Sequence, residues 1–184
     1  LRMNAGAMGN WTFDIVESVI VLDSNGDFRE IKKNECTIEY RKIKELTNSI
    51  IIGAFLNLGV NNGSMSVRNR MHSYSDVRKE SQPVAPSAGC VFKNPNNEYA
   101  GSLIEEAGLK NLKIGDAKVS EVHANFIIND GNSSAKDVCE LIQFIQREVK
   151  IKKGIKLETE VLLLGNQSDF EKIREKWDLV FQMT

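Results

Sequence analysis

The sequence predicts an α+β fold, and three stretches carry that prediction. Val16–Leu22 is β-branched and partly alternating, Asn25-Gly26 is the strongest short hairpin signal, and Asp27–Ile31 returns the chain, so a β-hairpin stands near the start. Ser134-Ala135-Lys136-Asp137 is a capping-box pattern with Asp in place of Glu or Gln. Ala135, Val138, Leu141, Ile142, Ile145 and Val149 then recur at three- and four-residue spacing, so one stripe of a long helix packs inward. Lys150, Lys152 and Lys153 crowd its carboxyl end before Gly154, where cations complement the helix dipole. Finally, Val161–Leu164 reads as a strand parallel to Phe126–Asn129 through a right-handed crossover, giving one β-α-β unit.

Composition bounds the function. The 184 residues are 41% hydrophobic and 27% charged, an ordinary globular mixture long enough for one full domain or two small ones. A net charge of -1 recommends neither a nucleic-acid nor a membrane partner. Cys36, Cys90 and Cys139 are odd in number and widely spaced, and only His72 and His123 supply imidazoles. Neither a disulfide framework nor a zinc site is supported, and a reducing cytoplasm fits. No apolar run approaches the ~20 residues of a membrane span.

Taken in order, Met3–Gly9 is a run of small residues that lets backbone approach a ligand, and after the hairpin the chain passes through Lys33–Arg41. Ser49–Leu58 is apolar enough to be a buried strand. Asn61-Asn62-Gly63-Ser64 is the clearest linker, so boundaries are expected at 1–63, 64–165 and 166–184. Residues 65–80 interleave Arg68, Arg70, Arg78 and Lys79 with Val67, Met71, Tyr74 and Val77, which suits a helix with one apolar stripe. The basic face lacks the aromatic platforms of a nucleic-acid surface.

Pro86–Pro95 concentrates the polar chemistry. Two prolines bracket Ser87-Ala88-Gly89, so the segment reads as a loop that presents Cys90, Lys93 and Asn94. On residue type alone Cys90 reads sooner as a core thiol, with Phe92 beside it. Glu98–Ala107 follows as a short helix ended by Gly108. His123 has no paired carboxylate at identifiable spacing, which favours a structural role. The tail from Ser168 carries Phe170, Ile173, Trp177, Val180 and Phe181 in an amphipathic pattern.

Tyr99–Leu109, Ile114–Ser120 and His123–Asn129, with the Pro86–Pro95 segment before them, resemble the UDP-N-acetylenolpyruvoylglucosamine reductase (UDP-N-acetylmuramate dehydrogenase) family of bacterial cell-wall synthesis. The likeness runs in consistent order from Met3 to Gly165. It implies the C-terminal part of an FAD-binding α+β domain followed by a small α/β substrate-binding domain, with the family's upstream FAD-binding stretch lying outside this sequence. It also implies an NADPH-dependent flavoprotein, cytoplasmic, reducing the enolpyruvyl group of a UDP-sugar to make a peptidoglycan precursor. Carried over by position, Asn4, Ala5, Gly6 and Ala7 lie beside FAD, and Tyr40, Arg78, Lys93 and Asn94 bind the substrate. Arg41, Cys90 and Glu160 are then catalytic, with Glu158 the same-face alternative to Glu160.

Two positions depart from the family pattern. A serine usually follows the arginine by two residues, where this chain has Ile43, and serine is common where this chain has Cys90. A thiol is the more acidic proton donor, so the exchange at 90 preserves the chemistry. The resemblance also admits a non-catalytic alternative, a fragment acting at most as a UDP-sugar-binding module.

Overall fold

The computed structural model describes residues 1–59, 63–95 and 97–163. The chain divides into two compact units after Tyr74.

In the first unit, β3 (Val16–Leu22) is the centre of a three-stranded antiparallel sheet, flanked by β4 (Phe28–Lys32) and β7 (Ile50–Leu56). The β3–β4 hairpin turns where Asn25-Gly26 predicts: Gly26 N–H donates to Asp23 O, and Asn25 and Asp27 N–H both donate to Asp23 Oδ1. A central strand contributes side chains to both faces, and Val16, Val19 and Val21 join Phe13, Ile31, Ile43 and Leu46 in the core. Ser18, also buried, is satisfied by donating its hydroxyl to Glu30 Oε1 at 2.6 Å. Two small hairpins complete the unit, β1 (Gly6–Ala7) with β2 (Asn10–Trp11) and β5 (Ile38–Glu39) with β6 (Lys42–Ile43).

The expected strand at 49–58 forms, but it is not buried. As the sheet's edge, β7 leaves Ile50, Ile52, Phe55 and Leu56 exposed, because apolar composition marks a strand without saying how many neighbours it has. A similar correction applies to α1 (Ser64–Ser81). The helix is present, yet Met65, Val67, Met71, Tyr74 and Val77 are all exposed, so its expected apolar stripe is not buried. A stripe at helical spacing supplies a face, and burial requires an opposing surface as well.

The second unit packs α2 (Ala100–Glu106) and α3 (Ala135–Lys153) on a four-stranded sheet. Its strands, β8 (Ser87–Cys90), β9 (Lys113–Ile114), β10 (Ala117–Val119) and β11 (Phe126–Asn129), lie in the order β8-β11-β10-β9. α3 starts as its capping box requires: Asp137 N–H donates to Ser134 Oγ at 3.1 Å, and Ser134 N–H donates to Asp137 Oδ2 at 2.8 Å. Leu141, Ile142, Ile145 and Val149 are buried, and Cys139 with them, where desolvation pushes its thiol pKa up and makes it inert. Lys152 from the last turn of α3 donates to the Ala107 carbonyl at 2.7 Å, supplying a cation to the carboxyl end of α2.

The α+β class holds, but the parallel β-α-β unit does not form among the described residues. β11 is paired antiparallel on both sides, by β10 and by β8, so no edge is left for Val161–Leu163. Among the described residues the chain after α3 instead runs antiparallel to the residues that follow β8, with Phe92 bridged to Thr159, and Leu157 enters the core. Leu164 and the amphipathic tail lie outside the described residues. Sequence reasoning also misses the β9–β10 hairpin, whose signal is Gly115-Asp116 between Lys113-Ile114 and Ala117-Lys118-Val119.

Candidate active site

Pro86–Pro95 is an edge strand rather than a free loop at its centre. Phe126 pairs with Cys90 and Ile128 with Ser87, so one extra residue of β8 is accommodated as a bulge. Gly89 sits there with φ +84°, a conformation that costs glycine little. The bulge delivers Cys90 half-buried at the end of β8.

Beyond Cys90 the segment is held by the 157–160 segment on one side and by Asn125 on the other. Glu160 N–H donates to Val91 O at 2.7 Å, and Lys93 N–H donates to Glu158 O at 2.9 Å. Cys90 and Glu160, seventy positions apart, are thereby carried on tied neighbouring segments of one unit. Thr159 between the two glutamates is buried. Glu158 is two-thirds exposed and faces Lys93 at 3.7 Å, whereas Glu160 is half-buried.

Asn125 is the residue that sequence reasoning missed. It is 3% exposed, its Oδ1 accepts from Phe92 N–H at 2.9 Å, and its Nδ2 donates to Phe92 O at 2.8 Å. The side-chain amide thus satisfies both backbone groups of Phe92 as a neighbouring strand would. Its signal in the sequence is a lone amide at the entrance to an apolar strand.

Asn94 has a structural task, since its Oδ1 accepts the Ala100 N–H that opens α2. Arg78 is exposed on α1, with Nε and Nη2 each 3.4 Å from Gln82 Oε1.

His123 takes the structural role. Its Nδ1 accepts from Asn125 N–H at 3.2 Å and its ring packs on Phe126 with centroids 4.9 Å apart. Burial is the main cause of a pKa below the ordinary imidazole range. A histidine kept neutral by folding contributes stability that is complete above its unfolded pKa and is lost as pH falls below it. The second unit is therefore expected to weaken as pH drops below about 6.5. Urea midpoints measured on both sides of that pH check this, and His123→Asn, which keeps an acceptor without the titration, should flatten the dependence.

In the first unit, Asn4 is buried and its Oδ1 accepts from Phe13 N–H at 3.0 Å, so this side chain builds the loop. Ala5 and Ala7 are exposed and Gly6 is half-buried. Tyr40 and Arg41 are the two turn residues between β5 and β6, with Arg41 at φ +58°. Ile43, standing where the family pattern has serine, is fully buried in the core. Among the described residues no group of three or more His, Cys, Asp or Glu side chains could hold a metal ion, and no helix is long and apolar enough to cross a membrane.

Residues 81–164 match the model of the UDP-N-acetylenolpyruvoylglucosamine reductase C-terminal domain. The reductase of Clostridium tetani is 41% identical over 90% of this chain and 54% of its own length, and that of Protochlamydia amoebophila is 46% identical over 86% and 53%. The crystal structure of the Thermus caldophilus reductase has a TM-score of 0.73 at 38% identity, over 86% of this chain and 56% of that one. The chain spans about half the length of the curated relatives it matches. With one family model on the second unit and 38–46% identity running through both, the chain is similar along most of its length to the UDP-N-acetylenolpyruvoylglucosamine reductases.

Proposed function

We propose that this chain carries catalytic residues of an FAD- and NADPH-dependent reductase that converts UDP-N-acetylglucosamine enolpyruvate to UDP-N-acetylmuramate, in cytoplasmic peptidoglycan synthesis. The observation that carries the reading, beside the relatives' names, is the hydrogen bond from Glu160 N–H to Val91 O, which links the segments bearing Cys90 and Glu160. Arg41 supports it from the first unit. A non-glycine residue held at positive φ marks a position where a side chain is kept at the expense of backbone ease.

The residues at 5–7 fit a flat ring system on steric grounds, because nothing larger than a methyl group projects from them. The backbone of Ala5, Gly6 and Ala7 would lie beside the flavin. FAD held there would supply hydride chemistry, with NADPH as its reductant, for addition at the methylene carbon of the enolpyruvyl group.

That addition leaves negative charge on the carbon next to the carboxylate. Arg41, permanently charged and planar, pairs with the carboxylate and stabilises the charge as it spreads. Glu160 helps to polarise the same pyruvyl group, and Cys90 gives its Sγ proton to the carbanionic carbon before regaining one from solvent. Lys93 and Arg78 offer cations to the diphosphate, with Tyr40 and Asn94 beside the substrate.

The test is optical. With FAD bound, NADPH bleaches the flavin and UDP-N-acetylglucosamine enolpyruvate restores its absorbance. Arg41→Lys should slow the restoration about a hundredfold, since an ammonium lacks the planar fork. An unchanged rate overturns the role of Arg41. The match of residues 81–164 to a C-terminal-domain model supports a second reading, a UDP-sugar-binding module. A colourless protein that binds UDP-N-acetylmuramate in calorimetry and turns nothing over would establish it.

A further inference from the structure

Two tight hairpins of the first unit meet at three side chains that composition does not connect. Met8 and Gly9, both at positive φ, turn β1 into β2 and place Trp11 opposite Gly6. Tyr40 and Arg41 turn β5 into β6. Arg41 Cζ lies 5.8 Å from the Trp11 ring centroid and 5.2 Å from that of Tyr40, both within cation–π reach of about 6 Å. The two rings meet edge to face, with centroids 6.2 Å apart and planes at 85°. Nε and Nη1 of Arg41 are out of solvent.

Trp11 is itself fixed. A Cβ placed on Gly6 would come within 2.4 Å of the indole, so the ring lies directly against the Gly6 backbone. The backbone N–H of Trp11 donates to Asp14 Oδ2 at 2.6 Å. Nevertheless the residue is 40% exposed and is absent from the first unit's buried core. An indole anchored by its backbone and backed by glycine, yet outside the core, has the arginine as its evident load.

We propose that Trp11 is a positioning residue, holding the Arg41 guanidinium in one orientation so that it meets the substrate carboxylate as a preset fork. The proposal rests on the role given to Arg41 above. Tyr40 is the chain neighbour of Arg41 and moves with it, whereas Trp11 belongs to a separate hairpin and provides the fixed reference. Stacking on it removes rotamer freedom that an arginine would otherwise lose only on meeting its ligand.

The test has two arms. In NMR spectra of the folded chain, the Arg41 Nε–H resonance, assigned by its disappearance in Arg41→Lys, should be displaced by the ring currents. Trp11→Ala should return it toward the position of a free arginine, and Trp11→Phe should keep most of the displacement. Val19 and Leu46 methyl resonances report whether the unit stays folded; should Trp11→Ala unfold it, Gly6→Ala, which drives the ring away, gives the same readout. A resonance that stays in place overturns the proposal.

With FAD bound, Trp11→Ala should lower kcat about tenfold while leaving the KM for NADPH unchanged, and Trp11→Phe should recover to within about threefold. A displaced resonance with unchanged kcat overturns the positioning role. An undiminished rate in Arg41→Lys overturns it differently: Arg41 then has no part in the reaction, while the resonance still follows Trp11.

Discussion

Replacing Cys90 by alanine should stop flavin reoxidation by UDP-N-acetylglucosamine enolpyruvate while leaving flavin bleaching by NADPH intact. The loss expected for a general acid is about 10²- to 10⁴-fold in kcat. Only the second half-reaction needs a proton at carbon, so only that half should fail. Cys90→Ser should retain most of the activity, because a hydroxyl can deliver a proton from the same position at the end of β8. Stopped-flow absorbance separates the two halves. Equal loss of both would mean that Cys90 supports the fold or flavin binding, and full activity in the alanine variant would remove it from the chemistry altogether.

The second large effect is expected on stability. Asn125→Ala removes a buried amide that satisfies both the N–H and the C=O of Phe92, itself 1% exposed. Neither group finds water there, and leaving a buried group unsatisfied costs about 1–3 kcal/mol. The variant should therefore lose about 3 kcal/mol, visible as a lower urea midpoint with an unchanged slope. The same change loosens the residue that follows the Val91 tie to Glu160, so any residual activity should fall with it. A loss below about 0.5 kcal/mol, the low end for an ordinary hydrogen bond, would show that the Phe92 backbone finds other partners.

Much of the fold was legible because it is local. The capping box at Ser134 and Asp137, the inward stripe of α3 and the turn at Asn25-Gly26 depend on residues within a few positions of one another. Strand neighbours were not legible in the same way. Val161–Leu163 looks like a strand by composition, but whether it pairs depends on whether β11 has a free edge, and β8 occupies that edge through residues 87–90. The exposure of β7 has the same origin, since hydrophobicity along a strand is silent about its place in the sheet order.

The candidate site divides along the same line. Cys90, Arg41 and Glu160 were named from a family pattern that a linear chain can display. Asn125 was not, because its task is to pair with a backbone thirty-three positions earlier. Trp11 was not, because only the meeting of two hairpins gives it Arg41 as a neighbour.

The sequence by itself determined the α+β class, the long capped helix, the first hairpin and the family resemblance, all of which reside in short-range spacing or in the order of motifs. The tertiary structure alone decided the β8-β11-β10-β9 sheet order, the bulge that delivers Cys90, the tie between Val91 and Glu160, and the setting of Trp11. The physical reason is that backbone pairing is indifferent to side-chain identity. Which distant segment satisfies a given N–H or C=O is settled by which sheet edges and buried positions remain once the whole chain has packed.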